Sequence, residues 1–186
     1  MHEFFKTMMM LFMVLFSFNS LFAQEPALTM SIGGDVKKPG LWSAEQLKAQ
    51  FADQIKEVIF TDPFSSWQKK TGKGIPLLSV IKAAEPRLEK VTKFHKDQMH
   101  YDMSFLVFLE ARDNYRVYFS LAELTPQLGS TEIYLAWDKE GEPLSGKEAP
   151  FRLATVNTKM PDREIYGISS ITVVDGDKLA DQLKAK

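Results

Sequence analysis

The side chains best equipped for chemistry fall into four groups. Arg152, Lys159 and Arg163 combine two planar guanidinium forks with one point charge, a set that suits the oxygens of a phosphate group. Arg152 reads equally well as one half of a buried structural ion pair, and the other two as ordinary surface charge. Trp67 follows Ser65 and Ser66, and an aromatic face beside hydroxyls is a common ligand surface. The bland alternative is a tryptophan that staples its loop to the core. His95, Met99, His100 and Met103 offer nitrogen and soft sulfur donors to a copper ion, with His95 and Met99 one turn apart if the segment is helical. Glu110, Arg112 and Asp113 supply an acid-base set at a hairpin end, where such charges are normally solvated.

One residue type is missing altogether. The chain has no cysteine, which excludes thiol catalysis, thiolate metal sites and disulfides, so packing alone must stabilise the fold. Twenty-three lysines and arginines are interspersed among twenty-four acids, for a formal net charge of −1, and this balance argues against nucleic acid as a partner.

The elements that must position these residues begin after an export signal. Lys6 precedes an apolar run from Met8 to Phe18, followed by Asn19, Ser20 and the small Ala23. This layout predicts a signal peptide over 1–23, cleaved after Ala23, because the run is shorter than the roughly 20 residues of a membrane span. An uncleaved anchor would place the folded part outside the cytoplasm as well, so a periplasmic or secreted protein is expected. Residues 24–186 then form a single domain, with its core at about 27–176, a usual size for one hydrophobic core.

Within that domain, Ala27–Ile32 reads as a strand. Ser43 and Gln46 form a capping box ahead of a helix with Leu47 and Phe51 on its apolar stripe. Ile55 to Thr61 reads as a largely buried strand, and Asp62 to Gly74 as an ordered surface loop, since periodicity is lost there. Pro76 opens a short helix through Ile81. Ser104–Ala111 and Tyr115–Ser120 form a hairpin around Arg112, Asp113 and Asn114. Ile133–Trp137, Phe151–Val156 and Ile171–Val174 add three strands. A terminal helix from Asp177 is expected to dock through Leu179 and Leu183. Helices interrupting a strand-dominated chain predict an α+β domain of mixed, mostly antiparallel strands.

Four segments, in order, carry a resemblance. They are Ile32 to Gly40 with the helix behind it; Gly74, Ile75, Pro76, Leu77 and Leu78; Asp113, Asn114 and Tyr115 with Leu135, Ala136, Trp137, Gly141, Glu142, Pro143 and Leu144; and Ala149 to Leu153 with Arg163 to Val173. Together they resemble the molybdopterin-binding oxidoreductase domain of the sulfite-oxidase type, over nearly the whole mature chain. The resemblance implies an α+β fold of that type and a pterin cofactor whose phosphate would lie near Arg152, Lys159 and Arg163. It also implies a molybdenum-ligating cysteine at the end of the strand before the long loop. Phe60, Thr61, Asp62 and Pro63 stand there instead, and Asp62 offers only a hard oxygen where molybdenum in this setting favours soft sulfur.

The sequence therefore predicts a domain that keeps the fold without the metal chemistry and binds a small molecule or a periplasmic or membrane protein partner, as an accessory or sensory protein. Asp62, Trp67, Arg152, Lys159 and Arg163 are its candidate binding residues. No catalytic residue, no metal ligand and no cofactor is expected. The alternative from the same resemblance is a molybdopterin-dependent oxidoreductase with a metal site completed by Asp62 or by the pterin sulfurs alone.

Overall fold

The computed structural model describes residues 28–87, 104–129, 132–156 and 163–185. Two sheets dominate. In the first, β1 (Met30–Gly34), β2 (Gly40–Trp42), β5 (Phe105–Ala111), β6 (Arg116–Ser120) and β11 (Ile168–Asp175) lie in the order β2-β1-β11-β5-β6, with only the β1–β11 pair parallel. In the second, β3 (Lys56–Asp62), β4 (Gln68–Pro76), β7 (Glu132–Ala136) and β10 (Arg152–Val156) run antiparallel in the order β10-β7-β4-β3. A small hairpin, β8 (Asp138–Lys139) with β9 (Glu142–Pro143), follows β7. Among the described residues three short α-helices, Ala44–Gln50, Leu77–Ala83 and Gly176–Lys184, complete the α+β arrangement, and none is long and apolar enough to cross a membrane.

Strand alternation explains where the core lies. Phe105, Val107, Leu109 and Ala111 of β5 are buried at every second position, and they join Ile32, Ile171 and Val173 in one apolar cluster with Ile133, Leu135 and Leu153 of the other sheet. β7 is buried on both faces: Tyr134 and Ala136 turn away from this core into a second, smaller cluster with Val58, Phe60 and Ala154. The second face carries the chemistry described below.

The capping box forms as its residue types dictate. Ser43 Oγ accepts from the Gln46 amide at 3.3 Å while Gln46 Oε1 accepts from the Ser43 amide at 2.8 Å. The hairpin of β5 and β6 also matches the sequence reading, with Asn114 at a φ of 67°, a conformation that asparagine tolerates.

Three expectations are corrected. Residues 62–74 are not a long loop: Asp62 ends β3, a tight turn follows, and β4 starts at Gln68 and pairs with β3 along its length. The glycines that read as loop markers are there for close approach, since a Cβ on Gly72 would lie 2.3 Å from the Asp138 carbonyl oxygen, and one on Gly74 2.9 Å from that of Leu135. β3 is half-buried rather than largely buried, with Ile59 54% exposed. The terminal helix does not dock through Leu183, which is 65% exposed; Leu179 is only partly covered.

Phe151 is fully buried in the main cluster. Phe151→Ala should cost about 3–5 kcal/mol in urea unfolding, whereas Leu183→Ala should change stability by no more than about 0.5 kcal/mol.

Candidate functional site

Because Leu153 faces the main core, Arg152, its neighbour on β10, faces the opposite side of the sheet. There its guanidinium carbon lies 3.9 Å from the ring centroid of Phe60, and the residue is fully buried. A buried guanidinium must be paired and hydrogen-bonded to persist. Arg152 Nη1 donates to Glu148 Oε1 at 2.7 Å, and Nη2 donates to the Thr61 carbonyl at 2.9 Å and lies 3.6 Å from Glu164 Oε2.

The carboxylates are themselves held. Lys139 Nζ bridges Glu148 Oε2 at 2.6 Å and Asp62 Oδ2 at 3.0 Å. Asp62 also accepts from the Phe64 amide and the Ser65 hydroxyl at 2.9 and 2.8 Å, which caps the turn after β3. Glu164 accepts from the Thr61 amide at 3.3 Å and from Thr155 Oγ1 at 3.1 Å. Within this network, Asp62, Glu148 and Glu164 outnumber Lys139 and Arg152 by one charge.

Burial sets the proton affinities in opposite directions. Burial raises Glu164 above its ordinary value of 4.5, and the Arg152 charge and the bonds from Thr155 and Thr61 only partly offset it. Burial would raise Asp62 too, but the hydrogen bonds from Lys139, Ser65 and the Phe64 amide prevail and hold it below 3.8. Burial lowers Arg152, against the pull of Glu148, Glu164 and Asp62, from a starting point so high that the guanidinium stays charged.

A cavity of about 230 Å³ opens beside this network. Thr61 and Pro63 line it from the end of β3, and Trp67 from the following turn; Asp113 and Tyr115 come from the β5–β6 hairpin. Arg152, Glu164 and Tyr166 close it. Tyr166 is set edge-on to Phe64 with centroids 5.0 Å apart. Ser66 and Trp67 adopt φ values of 53° and 61°, an uncommon left-handed conformation for two successive side chains that bear a Cβ. Trp67 remains 66% exposed, although it lines the cavity.

One donor in this site has no hydrogen-bond partner. Arg152 Nε is the one buried side-chain nitrogen or oxygen without such a partner among the described residues. A planar guanidinium presents its Nε–H on the same edge as Nη2. That edge faces Glu164 through Nη2, while Nε itself is enclosed by protein.

Of the residues singled out from sequence, Trp67 and Arg152 line the cavity and Asp62 lies beneath it, its oxygens committed to the protein. Arg163 is elsewhere: its Nη1 donates to Glu123 at 3.0 Å, its Nη2 donates to the Tyr118 carbonyl, and its guanidinium carbon lies 4.2 Å from the Phe119 ring centroid. Lys159 and the His95, Met99, His100 and Met103 cluster lie outside the described residues, as do residues 1–27. The three-cation cradle is thus not brought together by the described residues. Glu110 pairs with Arg116 at 2.9 Å and Arg112 donates to the Gly146 carbonyl, so of that acid-base set only Asp113 reaches the cavity. Lys139, Glu148 and Glu164 were not singled out. A signal for two of them existed, because an arginine between Phe151 and Leu153 in a core strand requires carboxylates, and Glu148 and Glu164 flank that strand in sequence.

No protein-family model matches the chain. No curated protein sequence matches it. Among solved structures, the sulfane dehydrogenase SoxCD from Paracoccus pantotrophus is similar in fold, with a TM-score of 0.51 at 14% sequence identity, over 79% of this chain and 38% of that chain. This chain thus spans well under half of that neighbour. Likeness at such identity carries the fold and nothing further. The α+β, mostly antiparallel architecture of the sulfite-oxidase type expected from the sequence is the architecture found.

Arg152→Ala should destabilise the protein by about 3–5 kcal/mol in urea unfolding, since it strands two buried carboxylates, and Arg152→Lys should recover only part of this because an ammonium lacks the fork. Stability should also depend on pH in two opposed windows. The folded protein binds an extra proton at Glu164, so stability should fall as pH rises from 4.5 through that group's raised value, and Glu164→Gln should remove this fall. Asp62 has the opposite sign: its contribution should be intact above 3.8 and lost as pH drops through its lowered value. Urea midpoints measured across the acid range in the wild type and the Glu164→Gln variant test both slopes.

Proposed function

We propose that this chain is an exported accessory or sensory domain of sulfite-oxidase-like fold that binds a small molecule in the Arg152 cavity and carries out no molybdenum chemistry. The observation that carries the reading is the commitment of the polar groups. At the position where the resemblance implies a cysteine, Thr61 supplies no anion, its carbonyl is taken by Arg152, and every Asp62 oxygen already accepts from the protein. Among the described residues no group of three histidine, cysteine or acidic side chains is placed to hold a metal.

The donor set does not fit a molybdopterin. Its phosphate would meet Glu164 and Asp113 in the cavity, and the Nη atoms of Arg152 already serve Glu148 and Thr61. A volume of about 230 Å³ is also below the roughly 300–1,000 Å³ of pockets that hold drug-sized ligands. These facts support a site for something small. Export is supported by the signal-like start of the sequence.

Protein purified from its native compartment should carry no stoichiometric molybdenum on elemental analysis and release no fluorescent pterin after acid denaturation and oxidation. Stoichiometric metal together with sulfite or sulfoxide turnover that tungstate abolishes would replace this reading with the oxidoreductase one.

A further inference from the structure

We propose that the outer edge of β6 is an assembly surface for a second copy of this chain, held shut by the Arg163–Glu123 ion pair. A strand at the edge of a sheet carries a row of outward amides and carbonyls with which a further strand can pair. Among the described residues β6 is such an edge, with β5 on its other side. The register fixes which groups point out. Ala111 donates to the Tyr115 carbonyl and Leu121 to the Phe105 carbonyl, so hydrogen-bonded pairs alternate inward from both ends of the hairpin. The pairs Glu110–Arg116, Phe108–Tyr118 and Leu106–Ser120 fall between them, which turns the amides and carbonyls of Arg116, Tyr118 and Ser120 away from β5.

Two of these outward groups are occupied by side chains. The Ser120 amide donates to Glu123 Oε2 at 2.8 Å, and the Tyr118 carbonyl accepts from Arg163 Nη2. Arg163 Nη1 donates to Glu123 Oε1 at 3.0 Å, so one ion pair fills an outward donor and an outward acceptor of the same strand. The Ser120 hydroxyl also accepts from the Glu123 amide at 3.2 Å, which caps the turn Ala122–Leu124. That turn needs only one oxygen of Glu123 and makes no use of Arg163. The arrangement recurs on β3, where the Thr61 amide and carbonyl go to Glu164 and Arg152. Arg163 and Glu164, adjacent in sequence, thus each supply half of a pair that covers a different strand edge. The pairs differ in burial: the side chains of Arg152 and Glu164 are 1% and 8% exposed, those of Arg163 and Glu123 46% and 47%. A half-exposed ion pair is a weak interaction, so of these two edges β6 is the one that can open.

A second β6 fits this edge. Tyr118 is the middle residue of the five-residue strand and presents both an amide and a carbonyl outward. Two antiparallel copies related by a two-fold axis at Tyr118 therefore satisfy each other. Arg116 then lies opposite Ser120 of the second copy, so no like charges meet. Val117 and Phe119 stay buried in each molecule's own core, while the half-exposed Tyr118 side chains meet on the outer face.

Sedimentation velocity on the full mature chain over about 10–500 µM tests this. Arg163→Ala should shift the monomer–dimer equilibrium toward dimer by about tenfold or more relative to the wild type, since it frees the Tyr118 carbonyl and unties Glu123. Arg163 is half-exposed, so this variant keeps its fold. Adding Tyr118→Pro should restore wild-type behaviour, because proline removes an outward amide and costs no bond to β5. Hydrogen exchange decides the same point even if that double variant fails to fold: in Arg163→Ala the Tyr118 amide should exchange more slowly at high than at low protein concentration. The proposal is overturned if Arg163→Ala associates no more than the wild type, if its Tyr118 amide exchanges alike at both concentrations, or if a folded double variant keeps the added association.

Discussion

A guanidinium with no water around it is the constraint on which the second face of this molecule depends. Arg152 cannot be buried unless acceptors converge on it, and each acceptor comes from a different part of the chain: Glu148 from the segment before β10, the Thr61 carbonyl from the end of β3, and Glu164 from the segment leading into β11. Lys139 then ties Glu148 to Asp62 and so fixes the turn that presents Trp67. Ion pairs of this kind are weak evidence for net stability, since desolvation consumes much of the attraction. Their effect is on arrangement. A one-residue slip of β10 would put the charge of Arg152 into the main core beside Leu135 and turn Leu153 out of it.

The same network determines what kind of chemistry the cavity can host. Its carboxylates are oriented toward Arg152 and Lys139, which quenches them as metal ligands and leaves an excess negative field rather than an anion-binding one. An arginine in a cavity is commonly read as an anion receptor, and the sequence reading of Arg152, Lys159 and Arg163 followed that logic. Here the partners decide the sign. A guanidinium held between Glu148 and Glu164 has its charge met inside the protein.

How far the fold could be read from sequence depended on whether the determining interactions were local. The capping box of Ser43 and Gln46, the hairpin around Asn114 and the alternation of β5 were legible because turn chemistry and period-two burial act over a few residues. β4 was not. Its exposed Gln68 and Lys69 hide the alternation, and Gly72 and Gly74 look like loop residues until β7 and the Asp138 carbonyl are seen against them. For the site, Trp67 and Arg152 were recognisable by type, and Asp62 by its place at the strand end. Arg163 was grouped with Arg152 because both guanidinium forks suit a phosphate; its side chain lies against β6, over Phe119. Lys139 was not named because it meets Asp62 across a separation that no local pattern encodes.

A fold sets where side chains converge without setting what they do. At 14% identity to a structural neighbour more than twice its length, the likeness is one of fold alone. In such a fold the strand ends meet at one place, and whatever side chains stand there decide the activity. Where the resemblance implies a soft anionic sulfur, Thr61 offers only a neutral hydroxyl, a poor anchor for a heavy metal. Enclosing Arg152 among acids then commits its guanidinium to the protein itself. Both features involve the same few residues, Thr61, Glu164 and Arg152, which both bond to one another and line the cavity. A substitution at any of them must therefore alter packing and ligand preference together, which is why Asp113 and Trp67, outside the network and still in the cavity, are the positions where binding can be separated from folding.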